Sequence, residues 1–140
     1  MRLTYGMTNC PTDCVVAVVD DDRRVLESLE NLLQSAGHTV RVFESATTLL
    51  ESGTLAEIDC LISDIDLPTI DGFELMRRAY AARAKLPVIL VTGHADMLKR
   101  GASTSGCHYR LFTKPFDGQE LLRAVSDAVR DSQRPIPGSC

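Results

Sequence analysis

The apolar positions of this 140-residue chain fall into short continuous runs, separated by stretches where they recur every three or four residues. Val15 to Val19 is one such run, β-branched except at Ala17, the pattern of a strand covered on both faces. It stops abruptly at Asp20, Asp21 and Asp22. Beyond these acids Val25, Leu26, Leu29, Leu32, Leu33 and Ala36 repeat at helical spacing, and Gly37 stands where a left-handed cap closes a helix. The order is strand, acidic loop, helix.

That unit recurs. Val40 to Phe43 predicts a second strand, Ser45 an N-cap for a short helix through Leu49 and Leu50, and Gly53 its exit. A third strand, Ile58 to Ser63, runs into Asp64, and the loop IDLPTIDG leads to a helix from about Phe73 to Ala82. Pro87 opens a fourth strand, Val88 to Val91, ending at Thr92. A fifth, about Tyr109 to Thr113, delivers Lys114 and Pro115. Asp117 and Glu120 then resemble a capping box, with Leu121, Leu122, Val125 and Val129 as the buried stripe of a last helix. Strands alternating with helices imply right-handed crossovers, hence an α/β domain: a doubly wound parallel sheet of five strands between two helix layers. Residues 14–130 form that domain, 1–13 an N-terminal extension and 131–140, with two prolines and no periodicity, a tail.

Composition narrows the function classes. With 44% hydrophobic residues the chain buries a full core without staples, and a net charge of -4 offers no basic surplus for a phosphate backbone, so direct nucleic-acid binding is not expected. No run approaches the roughly 20 apolar residues of a membrane span, and the first residues lack a secretory apolar stretch, so the expected location is cytoplasmic. Five scattered cysteines read as reduced thiols, and Cys10 with Cys14 lacks the second Cys/His pair of a zinc site.

Ligands of open α/β sheets gather at the carboxyl ends of the strands, where loops converge and helix N-termini present free N–H groups. Those ends carry Asp20 and Asp21, then Asp64, then Thr92, then Lys114. Three carboxylates that close repel one another unless a cation holds them, and hard oxygen donors suit Mg2+ or Mn2+. Beside such an ion one carboxylate can attack phosphorus, while Lys114 and the Thr92 hydroxyl stabilise the oxygens of the transferred group. The chemistry that fits is formation of an aspartyl phosphate. Singly, these residues say little: Asp20 to Asp22 also suit a helix N-terminus, Thr92 a turn, and His38, His94 and His108 ordinary loop positions. Their order along the chain is what counts.

The segments VVDDD, ISDIDLPTIDGFEL, VTGH and FTKPF resemble the receiver domain of bacterial two-component response regulators, over roughly residues 14 to 130. The resemblance implies a CheY-like, flavodoxin-like (βα)5 fold with strand order 2-1-3-4-5. It implies Asp64 as phosphoacceptor, Asp21 as direct metal ligand, Asp20 as ligand through water and Asp66 as donor of a backbone carbonyl to the metal. Thr92 becomes the hydroxyl that swings toward the phosphoryl group, and Lys114 its ion-pair partner, placed by a cis bond before Pro115. His94 and Asp66 flank the path of the hydrolytic water. The implied partners are a sensor histidine kinase or histidine phosphotransfer protein and a downstream protein on the face of helix four, strand five and helix five, with homodimerisation on phosphorylation a further expectation. Such a domain turns over only its own phosphoryl group and is not an enzyme toward other substrates.

Two departures stand out. KRGASTSGCHYR places two glycines and a Ser/Thr cluster where helix four should run, which predicts a short or shifted helix. Leu111 occupies the position, three before the lysine, where many members carry an aromatic switch residue, with Tyr109 two residues away. A stand-alone receiver is the expected arrangement. The alternatives are a receiver cut from a LuxR-type transcription factor, which TGH with KPF resembles, and a phosphatase of the haloacid dehalogenase type, echoed by Asp64-Ile65-Asp66. That last family places its nucleophile strand first, and here the acidic run precedes it.

Overall fold

Five short strands, β1 (Val15–Val19), β2 (Thr39–Phe43), β3 (Cys60–Asp64), β4 (Val88–Thr92) and β5 (Arg110–Thr113), lie in one sheet. All pairings are parallel, and the order across the sheet is β2-β1-β3-β4-β5, as the resemblance implied. The computed structural model describes residues 14–93 and 109–132. Within them the strands alternate with α1 (Arg23–Ser35), α2 (Ala46–Ser52), α3 (Gly72–Ala82) and a C-terminal helix (Gly118–Ser132), and a single 3-10 turn spans Thr54–Ala56. The expected fourth helix falls on residues 94–108, outside the described residues, as do His94, His108 and Cys10. Among the described residues no helix is long and apolar enough to cross a membrane.

Because side chains alternate across a strand, the unbroken apolar runs feed two separate cores. Ala17, Val19, Leu61, Val88 and Leu90 face one way, packing with Leu49 of α2 and Leu75, Met76 and Ala79 of α3. Val16, Val18, Ile62, Ile89 and Val91 face the other, beneath Leu26, Leu29 and Leu33 of α1 and Leu121, Val125 and Val129 of the C-terminal helix. Each such Leu, Ile or Val contributes about 1.5–3 kcal/mol by leaving water. β1, β3 and β4 are inner strands. The outer strands β2 and β5 instead expose Arg41 and Arg110, charges that discourage edge pairing.

Local signals act as read. The Ser45 hydroxyl accepts the Thr48 N–H, while Gly37 and Gly53 take φ of 94° and 77°, the left-handed region that a side chain would strain. β3 begins later than expected, at Cys60 instead of Ile58. The Asp59 carboxylate accepts the Val15 N–H at 2.8 Å, and its own N–H donates to the Val15 carbonyl at 2.7 Å, while the Ile58 carbonyl turns to the Arg83 guanidinium. These bonds replace the ladder there.

Leu121 is fully buried and anchors the C-terminal helix to the sheet. Leu121→Ala is expected to cost about 2–5 kcal/mol, seen in urea denaturation as a lower midpoint at unchanged slope.

Candidate functional site

The register brings four strand ends to one edge. Val19 lies beside Ser63, Asp64 beside Val91, and Thr92 beside Thr113. Asp20 therefore emerges next to Asp64, and Lys114, whose N–H donates to the Thr92 carbonyl at 2.8 Å, completes the row. One carboxylate oxygen each from Asp20, Asp21 and Asp64 lies within 4.8 Å of the others. The Lys114 ammonium reaches over them, 3.1 Å from Asp20 Oδ2 and 3.5 Å from Asp64 Oδ2. Thr92 is fully buried at the end of β4, and the Lys114–Pro115 bond is cis, as expected.

The acidic run divides its labour. Asp22 caps α1, its carboxylate accepting the Arg24 N–H at 3.0 Å, so the helix-capping reading holds for this residue. Asp20 is buried, and its Oδ1 accepts the Asp22 N–H at 2.9 Å, which turns Oδ2 toward Lys114. Asp21 remains exposed. Asp64, 6% exposed, uses Oδ1 to accept the Asp66 N–H at 3.1 Å and presents Oδ2 to the amine. The Asp66 side chain itself faces solvent.

Burial raises the Asp64 pKa above the ordinary carboxylate value, and the Asp20 charge raises it further, against the opposing Asp66 N–H and Lys114. Burial pulls the Lys114 pKa down, yet the hydrogen bond and charge of Asp20, with those of Asp64, outweigh it and leave the amine above its usual value. Lys114 thus stays protonated at neutral pH. Among the described residues three carboxylates gather with one ammonium, so negative charge is in excess and the donors are oxygens. That donor set fits a hard divalent cation.

Sequence reasoning missed two neighbours of Asp64. Ser63, fully buried, donates its hydroxyl to the Asp64 carbonyl at 2.9 Å. Gly72 packs so closely that an added Cβ would lie 2.5 Å from the same oxygen. A polar break in an apolar strand marked the first, and the glycine of IDG the second, but the contacts themselves need the fold. At β5, Leu111 is 37% exposed, while the Tyr109 ring meets Phe73 of α3 edge-on at 6.2 Å.

This edge sets three acids and a lysine at the carboxyl ends of the strands of a parallel α/β sheet ordered 2-1-3-4-5. The profile of the response regulator receiver domain matches residues 16–126, and the chain belongs to that family. It is similar to the response regulator protein TmoT of Ectopseudomonas mendocina, 33% identical over 118 residues, covering 84% of this chain and 54% of the relative. It is 32% identical over 124 residues to the transcriptional regulatory protein FixJ of Bradyrhizobium diazoefficiens, covering 84% and 58%. Full-length FixJ from B. japonicum, among solved structures, gives a TM-score of 0.75 at 32% identity, covering 88% of this chain and 61% of that one. The receiver domain of nitrogen regulatory protein C gives 0.75 at 34%, covering 89% and 100%. The chain spans about half the length of the curated relatives it matches.

A carboxyl whose pKa is raised on folding weakens the fold once it ionises: the cost is absent below the unfolded pKa and fully present above the folded one. Asp64→Asn is therefore expected to raise the metal-free melting temperature at pH 7 by a few degrees, roughly 2–5 °C, and to have little effect near pH 3. Calorimetric melts at the two pH values check this, in the absence of divalent cations.

Proposed function

We propose that Asp64 accepts one phosphoryl group from a histidine of a sensor kinase or phosphotransfer protein, and that the resulting change of state is read by another protein. The observation that carries this reading is the Lys114 amine set 3.1 Å and 3.5 Å from two carboxylates that sit with a third at one sheet edge. Asp20, Asp21 and Asp64, with the Asp66 carbonyl, would hold Mg2+ or Mn2+. When bound, the ion supplies charge neutralisation, letting an anionic phosphoryl group approach a carboxylate.

Asp64 is the nucleophile in this reading: it ends the central strand β3, between Asp20 after β1 and Thr92 on β4, with its Oδ2 3.5 Å from the Lys114 amine. As its oxygen bonds to phosphorus, the phosphorus–nitrogen bond to the donor imidazole breaks, and the ring nitrogen keeps the electron pair. Lys114 moves from carboxylate to phosphoryl oxygen, and the Thr92 hydroxyl donates to another. Drawing Thr92 and the end of β4 toward the site repacks what lies against β4 and β5. Exposed Leu111 and the flanking C-terminal helix belong to the surface a partner reads, and two phosphorylated copies pair over the same face.

Cytoplasmic signalling, with no turnover of external phosphate esters, is part of this proposal. So is recognition by protein contact instead of nucleic acid, which the net charge of -4 supports. The relatives' names and greater length favour an output unit beside the receiver, and the stand-alone arrangement is separated from that one by the length of the native gene product. Intact mass after incubation with acetyl phosphate and Mg2+ is expected to rise by one phosphoryl group in the wild type and not in Asp64→Asn. Uptake by both, or steady hydrolysis of a phosphate ester, would favour a different site or the phosphatase reading.

A further inference from the structure

We infer that Gly72 and Ser63 act as positioning residues for metal uptake, by fixing the peptide group that joins Asp64 to Ile65. This rests on the receiver reading of the site given above. Three contacts hold that peptide. The Ile65 N–H donates to the Val91 carbonyl at 2.8 Å, the Asp64 carbonyl accepts the Ser63 hydroxyl at 2.9 Å, and Gly72 closes the remaining side.

The Gly72 contact is steric. A Cβ there would stand 2.5 Å from the Asp64 carbonyl oxygen and 2.7 Å from Ile65 Cα, both backbone atoms with no rotamer to yield. The Gly72 N–H also donates to the Ile65 carbonyl at 2.9 Å, so the start of α3 is tied directly to the phosphoacceptor strand. Gly118 provides the contrast: its added Cβ would meet Leu32 side-chain carbons at 3.2 and 3.4 Å, and that side chain can move.

The consequence follows from Asp66. Its N–H holds Asp64 Oδ1 at 3.1 Å, so the carboxylate and the Asp66 backbone travel with the same peptide. A side chain at position 72 forces this unit to shift relative to Asp20 and Asp21, which follow a different strand, β1. A shift of tenths of an ångström degrades an octahedral site, because Mg2+ demands near-ideal geometry.

The test is Mg2+ affinity, by calorimetric titration of the intact chain and three variants whose folding is followed by thermal melts. Gly72→Ala is expected to bind about tenfold more weakly or worse, and Ser63→Ala about threefold more weakly, as for residues that orient metal ligands. Gly118→Ala should bind like the wild type even where it melts lower. Wild-type affinity in folded Gly72→Ala overturns the inference, as does an equal loss in Gly118→Ala. Should Gly72→Ala not fold, unchanged affinity in Ser63→Ala overturns it. Failure of the wild type itself to bind Mg2+ sinks the receiver reading, a result distinct from binding that the variants leave unaltered.

Discussion

Repulsion among three carboxylates is the constraint around which this molecule is arranged. Carboxylate oxygens of Asp20, Asp21 and Asp64 are brought within 4.8 Å of one another, with Lys114 as the cation set against them among the described residues, and burial first, then the Asp20 charge, raises the Asp64 pKa. Like charges in a partly buried site cost folding free energy, so the packing elsewhere must supply what the site consumes. The two cores do so: the inner strands β1, β3 and β4 are apolar throughout their central residues and turn polar only where they reach the edge.

Rigidity at that edge comes from backbone as much as from side chains. Asp20 is oriented by the Asp22 N–H, Asp64 by the Asp66 N–H, and the peptide beyond Asp64 by Ser63, Val91 and Gly72. Among the described residues Lys114 is the group that reaches the site through a long flexible side chain, which would let its amine exchange a carboxylate for a phosphoryl oxygen in the proposed reaction. Stored repulsion, fixed acids and one mobile cation together make a site that responds strongly to added charge.

Much of this was legible in the residues. Apolar runs ending in Asp20, Asp64, Thr92 and Lys114 mark both the strands and the site, because a buried strand tolerates charge only at its end. Periodicity placed α1, α2, α3 and the C-terminal helix within about two residues. What stayed hidden depends on neighbours distant in sequence. Nothing in the run Asp20-Asp21-Asp22 tells which acid caps the helix and which faces the amine. Asp59 ends a ladder by bonding Val15, a partner 44 positions away. Gly72 reads as a turn glycine, and only the fold reveals that it lies against the Asp64 carbonyl. Leu111 in place of an aromatic ring, with Tyr109 packed on Phe73, was visible as a departure whose geometry the sequence does not contain.

The most direct test of the shared-cation claim is paramagnetic broadening by Mn2+ in amide NMR spectra of the isotope-labelled chain. Substoichiometric Mn2+ should first erase the signals of residues 20–22 and 64–66, and Asp64→Asn should spare them. Sharp signals there, with broadening instead around exposed acids such as Glu27, Glu30 or Glu57, would contradict the account.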